Sequence, residues 1–302
     1  MLENLGAIKT ALDIIKSGID IAGRKKAKKK PQLDNNSTLL VAKRFVELFE
    51  SHGVKRTQIP KFFGHDLTLE KLKDDETLLS NLSDEMLDDV CELFAVRREW
   101  LDGVEEQIHP YYDFYKNPEK FSIFIEDLVF ENPDSHLFGV VIAPSDYDWT
   151  SQALIILQER VGTLGEKEIF RYHLCNNWAH TYWKARAYLT ACVAIGWKRN
   201  IYIHGIHKPK GFIKQLAFGE TLLGWKGEGI WELGHKTWDP EDMALRPEAF
   251  LNEVDAEKDD FGIKSGLRLW LDLDECGLMD TGLPVPARAL FEKELRRFNE
   301  CQ

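Results

Sequence analysis

The chain has 302 residues, a formal net charge of −11, and 44% hydrophobic and 29% charged residues, the balance of a water-soluble globular protein with room for two domains. No apolar run reaches the roughly 18–20 residues of a membrane span, and the N-terminal charge follows the first apolar segment instead of preceding it, which argues against a secretory signal. Five cysteines without C-x-x-C spacing, Cys91, Cys175, Cys192, Cys276 and Cys301, argue against a disulfide framework and for reduced thiols in a cytoplasmic protein.

Residues 1–22 place Leu5, Ile8, Leu12, Ile15 and Ile19 alternately three and four apart, the seam of an amphipathic helix. Such a helix docks on its own domain, pairs with a second copy, or lies on an anionic membrane surface. Residues 23–36 read as a basic linker or arm. Arg24, Lys25, Lys26, Lys28, Lys29 and Lys30 are six cations in seven residues, which repel one another and bury no apolar area. The arm either stays solvated or lies along nucleic-acid phosphates, where counterion release makes binding salt-dependent. Positive charge is concentrated here. Residues 1–30 carry eight Lys and Arg against three Asp and Glu, whereas 31–108 carry nine against seventeen.

Residues 37–105 read as a compact all-helical domain. Asn36, Ser37 or Thr38 caps a first helix carrying Val41, Phe45, Leu48 and Phe49. A short helix follows from Arg56 to Phe63, then segments around Leu67, Leu69 and Leu72, and around Leu78, Leu79 and Leu82. Ser83-Asp84-Glu85 opens a helix with Met86, Leu87, Val90, Leu93 and Phe94, and a final turn ends at Gly103.

The closing pattern Leu87, Val90, Leu93, Phe94, Val96, Trp100, Leu101, Gly103, together with Ile59, Phe63 and Gly64, resembles Cro/repressor-like (XRE-type) helix-turn-helix domains over about residues 39–103. In that family the helix after the turn glycine enters the DNA major groove. The resemblance implies a homo-oligomer, most simply a homodimer, on double-stranded DNA, because paired half-sites match two-fold symmetry. It assigns DNA contact to Lys55, Arg56, Gln58, Lys61, Thr68, Lys71 and Lys73, beside the six cations of the arm. Two departures stand against it. Pro60 occupies a position where the family has a small residue. The groove-facing stretch His65–Glu76 carries five carboxylates and no Arg, Asn or Gln, the side chains that make bidentate base contacts.

Residues 104–118 form a connector, and 119–302 read as an α+β domain for sensing or assembly. Leu137–Ala143, Ala153–Leu157, Ile169–Leu174 and Ile201–Ile206 are apolar runs of strand length. Between the last two, Asn177–Gly196 reads as a helix with Trp178, Tyr182, Ala185, Leu189 and Cys192 along one stripe, the pattern of a strand–helix–strand crossover. Helices are expected over Lys210–Leu223, after Asp239, from Arg246-Pro247 and over Pro286–Phe298. Leu267, Leu269, Leu271 and Leu273 alternate strictly, as in a half-buried strand.

Arg171, Trp178, Trp183, Arg186 and Trp231 are the candidate ligand-pocket residues, apolar walls with cations to receive an acidic effector. His173, Cys175, His180, His204 and His207 lack any standard metal-ligand spacing. Asp146, Asp148, Glu159, Glu166, Lys167 and Glu168 surround candidate strand ends without a defined motif. The chain has no G-x-S-x-G, Walker or G-x-G-x-x-G signature, and no catalytic residue, metal or cofactor is assigned. The expected protein is an α+β multi-domain transcriptional regulator: a helix-turn-helix module, then a mixed α/β domain that senses a small-molecule or protein effector. The alternatives are an interaction or assembly module that keeps the helical fold without DNA, and an enzyme with its active site in the C-terminal domain.

Overall fold

The computed structural model describes residues 35–146, 151–255 and 261–300. Two units divide the chain, Met1–Ser37 and Thr38–Gln302. The expected helix of residues 1–22, the six cations Arg24 to Lys30, Asp148 and Cys301 lie outside the described residues.

Helix α1 (Asn35–Ser51) turns Ala42, Phe45, Val46 and Phe49 inward on one face, as a 3.6-residue period requires. A 3-10 turn (Arg56–Gln58) leads into α2 (Ile59–Phe62), which carries Pro60 in its first turn, where a missing N–H costs nothing. Asp74 caps α3 (Asp75–Leu79) by accepting from the Thr77 N–H at 2.7 Å. Ser83 does the same for α4 (Asp84–Phe94) through the Met86 N–H at 3.2 Å. Asp84 and Glu85 in its first turn suit the positive helix end. A short helix, α5 (Arg98–Leu101), buries Trp100 and Leu101 against this group.

The stretch after Gly64 differs from the expectation. Gly64, His65 and Asp66 have φ of +79°, +54° and +54°, a left-handed run that no right-handed helix contains. Turns closed by Leu72 N–H to Thr68 O (3.2 Å) and Lys73 N–H to Glu70 O (3.4 Å) then carry the chain to α3. Leu67 and Leu72 are buried but Leu69 is exposed, so no helical stripe forms. The expected groove-entering helix is absent from this segment.

The sheet has the order β1-β4-β3-β2-β5: β1 (Tyr111–Asp113), β2 (Phe138–Pro144), β3 (Gln152–Leu164), β4 (Lys167–Ala179) and β5 (Tyr202–Lys208). β1 runs parallel to β4 and β2 parallel to β5, while β3 runs antiparallel to both its neighbours. The sheet is covered on both faces, which explains the unbroken apolar run of β2. Val141, Ile155, Leu157, Cys175 and Ile203 face α6 (Pro118–Glu131) and α7 (Trp183–Lys198). Val140, Ile142, Ile156, Tyr172 and Leu174 face α8 (Lys210–Ala217). Strand β1 and helix α6 fall where only a connector and an unassigned stretch were expected. Trp178 belongs to β4 and not to the stripe of α7.

Short helices α9 (Asp242–Leu245) and α10 (Pro247–Leu251) precede two longer ones, α11 (Phe261–Glu275) and α12 (Ala287–Glu300). Helix α11 replaces the strand expected from the leucine alternation. Its buried residues are Gly262, Gly266, Leu267, Trp270 and Leu273, a spacing of four, one, three and three that fits a helix face. Trp270 stacks on Phe291 of α12 with ring centroids 3.6 Å apart.

The helical residues do not complete their own core. Ile169 of β4 is fully buried within it, with Val161, Leu164 and Leu222 packed alongside. Truncating Ile169 to Ala should lower the unfolding free energy by about 2–5 kcal/mol. Urea unfolding should remain one transition; a second, separate transition would show that the helices fold without the sheet.

Candidate functional site

Strands β3 and β4 form a hairpin across Gly165-Glu166. An extra residue, Val161, interrupts its register between Arg160↔Phe170 and Gly162↔Ile169. That bulge places Glu159 opposite Arg171, two residues along from Leu157 opposite His173. Period-two alternation then puts all three polar side chains on the sheet face that carries α6.

They form one network. The Arg171 guanidinium grips the Glu159 carboxylate with Nε (2.6 Å) and Nη2 (2.9 Å). His173 Nε2 lies 2.8 Å from Glu159 Oε2, and Asn132 Nδ2 donates to Oε1 at 3.1 Å. Glu159 has no exposed surface. Burial alone would raise its pKa, but the hydrogen bonds from His173 and Arg171 outweigh it and hold the carboxyl well below the usual range. The His173 pKa is lowered too, chiefly by burial, which outweighs the pull of Glu159. The pair is therefore an ionised Glu159 accepting from the Nε2–H of a neutral imidazole. Tyr112 and Phe124 close over that ring, with centroids 6.2 and 5.5 Å away.

Arg171 also donates through Nη1 to the backbone carbonyl of Glu92, in the last turn of α4, at 3.1 Å. One side chain thus ties β3, β4 and the helical module together. It lines a cleft of about 630 Å³ with Asp89, Glu92 and Leu93 of α4, Glu131 and Asn132 at the end of α6, and Val161. A hollow of about 390 Å³ shares Asp89, Leu93 and Val161 and continues along α4 to Lys61, Phe62, Phe63 and His65. The groove is amphipathic: carboxylates and Arg171 at one end, phenylalanine rings and Lys61 at the other.

Of the five expected pocket residues, only Arg171 lines this groove. Trp178 is fully buried in the core with α7. Trp183, at the start of α7, packs beside Gly266. Arg186 is buried, its Nη2 3.0 Å from His180 Nε2. Trp231 is half exposed and stacks on His204, centroids 4.6 Å apart. The histidines and the cysteine weighed as metal ligands are likewise dispersed. His180 meets Glu253 at 2.9 Å, His207 meets Thr237 Oγ1 at 2.9 Å, and Cys175 is enclosed in the core. Among the described residues no three His, Cys, Asp or Glu side chains are arranged to hold a metal ion.

The expected DNA contacts are mostly engaged within the module. Arg56 donates to Leu72 O at 2.6 Å and pairs with Asp75 at 2.8 Å. Lys71 Nζ donates to Asp66 O at 3.0 Å, and Lys73 pairs with Glu70 at 2.8 Å. The Gln58 side chain accepts from the Lys55 N–H at 2.9 Å, and Thr68 Oγ1 accepts from the Lys71 N–H at 3.3 Å. Lys55 and Lys61 are exposed.

Sequence reasoning named Glu159, Arg171 and His173 separately, in three different roles, and missed Asp89, Glu92, Glu131 and Asn132. The hairpin turn was the available signal, since folding β3 back on β4 brings the first three near one another. No helix among the described residues is long and apolar enough to cross a membrane. Comparison with family models, curated proteins and solved structures finds no match to this chain.

Proposed function

We propose that this chain is an effector-responsive interaction protein, in which the groove beside α4 receives the effector and the helical module presents the surface that a partner protein reads. The observation that carries this reading is the position of Arg171. It lines the cleft, holds buried Glu159 of the sheet and bonds the backbone of α4. Any occupant therefore touches both bodies at once, which is what a ligand needs to alter one through the other. The left-handed run at Gly64–Asp66 and the internal engagement of Arg56, Lys71 and Lys73 favour protein contact over base reading.

A DNA-bound regulator is the second reading, favoured by the exposed Lys55 and Lys61 and by the six cations of residues 24–30. The two readings separate in a mobility-shift titration of the full chain against mixed genomic duplexes. We expect at most weak, sequence-independent binding that vanishes between about 50 and 200 mM salt. Neutralising Lys55 and Lys61 together should remove part of it. A discrete footprint that persists at 200 mM salt would overturn the interaction reading, and sedimentation of the same samples reports whether the chain self-associates.

A further inference from the structure

We propose that His109 is an acid-sensitive lock fastening the helical module to the loop after α8. His109 lies in the connector between α5 and β1 and is fully buried. Its Nε2 accepts from the Leu223 N–H at 3.0 Å. The ring proton therefore sits on Nδ1, which faces the Ala95 carbonyl at 3.3 Å. Ala95 is the left-handed residue that ends α4. The connector is tied to the same loop by its backbone, since the Ile108 and His109 N–H groups both donate to Gly219 O, at 2.8 and 3.1 Å. Gly219, at φ +67°, permits that approach, because a Cβ there would stand 2.6 Å from the His109 carbonyl oxygen.

The imidazole thus spans the module and the loop with both nitrogens engaged, one as donor and one as acceptor. A second proton has no place. On Nε2 it would face the Leu223 N–H donor head-on, so charging the ring breaks that bond.

The neighbouring elements offer no relief. From α1 comes His52, whose Nδ1 lies 2.7 Å from Leu48 O and 3.0 Å from Ser51 Oγ, and whose ring packs on Phe94 with centroids 4.1 Å apart. From β4 comes His173, held by Glu159 beside Arg171. Burial first, then His52, lowers the pKa of His109 to about 3, with His173 adding to the shift and only the Ala95 carbonyl opposing it. A proton taken up by His109 is therefore accommodated by opening the junction, which separates α4 from the loop at residues 218–224.

Hydrogen exchange of the full chain at pH 7.5 and pH 5.0, expressed as protection factors, tests the lock. An opened histidine titrating near its ordinary 6.5 against about 3 when closed favours opening roughly 30-fold more at pH 5.0. Amides of residues 95–110 and 217–224 should lose protection by that factor or more. In H109Q the amide can accept from Leu223 and donate to Ala95 without titrating, and the pH dependence should disappear. Unchanged protection in the wild type, or an equal pH-dependent loss in H109Q, overturns the proposal. Should H109Q fail to fold, the His109 ring resonances of the wild type decide. A neutral ring down to pH 5 supports the lock, and a ring that titrates near 6.5 with the junction still protected refutes it.

Discussion

Replacing Arg171 with Met should lower the unfolding free energy by about 3–5 kcal/mol, the usual consequence of leaving a buried charge without its partner. The methionine can fill much of the space of the arginine stem but supplies none of its N–H groups. Glu159, with no exposed surface, would keep only His173 and Asn132 as donors. Replacing both members, Glu159→Leu with Arg171→Met, should recover most of the loss, because a buried ion pair and a packed apolar pair of similar volume are often close in free energy. Recovery should fall short by about 1–3 kcal/mol, since the His173 Nε2–H then has no acceptor. Urea denaturation of the two single variants and the double variant measures the coupling directly. A loss below about 1 kcal/mol in the Arg171 variant, the range of solvent-exposed pairs, would mean that water from the cleft already reaches Glu159.

Acid should destabilise the protein well before its carboxylates protonate. His52 and His109 have pKa values lowered from 6.5 to about 4 and about 3, burial being the largest cause for each. Below pH 6.5 the unfolded chain binds protons that the folded chain refuses, so stability falls as pH drops through this window, until the folded-state values are reached. At pH 5 each histidine should cost about 2 kcal/mol, or about 4 kcal/mol for the two. Glu159 acts in the same sense but at lower pH. Its depressed pKa contributes stability that is complete above its ordinary 4.5 and is lost only at lower pH. The profile should therefore slope downward between pH 6.5 and 4.5 because of the histidines alone. Denaturation midpoints at pH 7.5, 6.0 and 5.0 should show that slope; a flat line over this range would remove both histidines from the account.

The sequence was a good guide wherever one face of an element is apolar and its ends carry recognisable caps. Helix α4 was readable from Ser83 and from Leu87, Val90 and Phe94, and β2 and β5 from their apolar runs. Helix α11 was misread because Leu267, Leu269, Leu271 and Leu273 alternate by coincidence. Trp270, buried among them, carried the competing helical signal. Strand β3 was cut short at Leu157 because Gln158 and Glu159 look like surface residues, yet both are buried with their partners in place.

The candidate site was hidden for a related reason. Counting back from the Gly165-Glu166 turn with an unbroken ladder sets Glu159 opposite Tyr172. Only the bulge at Val161 moves it opposite Arg171, and the one mark of a bulge in residues 159–163 is Gly162 within the strand. The segment after Gly64 misled for the reverse reason. Its leucines suggested a helix, while the left-handed conformations of His65 and Asp66 are marked only by the glycine before them and by residue types that tolerate positive φ.

The burial of Ile169 within the helical module also bears on how the protein is made. A nascent chain leaves the ribosome N-terminal end first, and domains generally fold as they emerge. Helices α1 to α5 emerge with a core that Ile169 of β4 completes beside Val161, Leu164 and Leu222, and β4 follows the whole of α6, β2 and β3 in the order of synthesis. Until then Phe49, Ile59 and Phe94 have no completed interior to enter. The module precedes the sheet in the chain but is among the last parts to be finished, and an expression fragment ending near Gly103 would preserve that unfinished state.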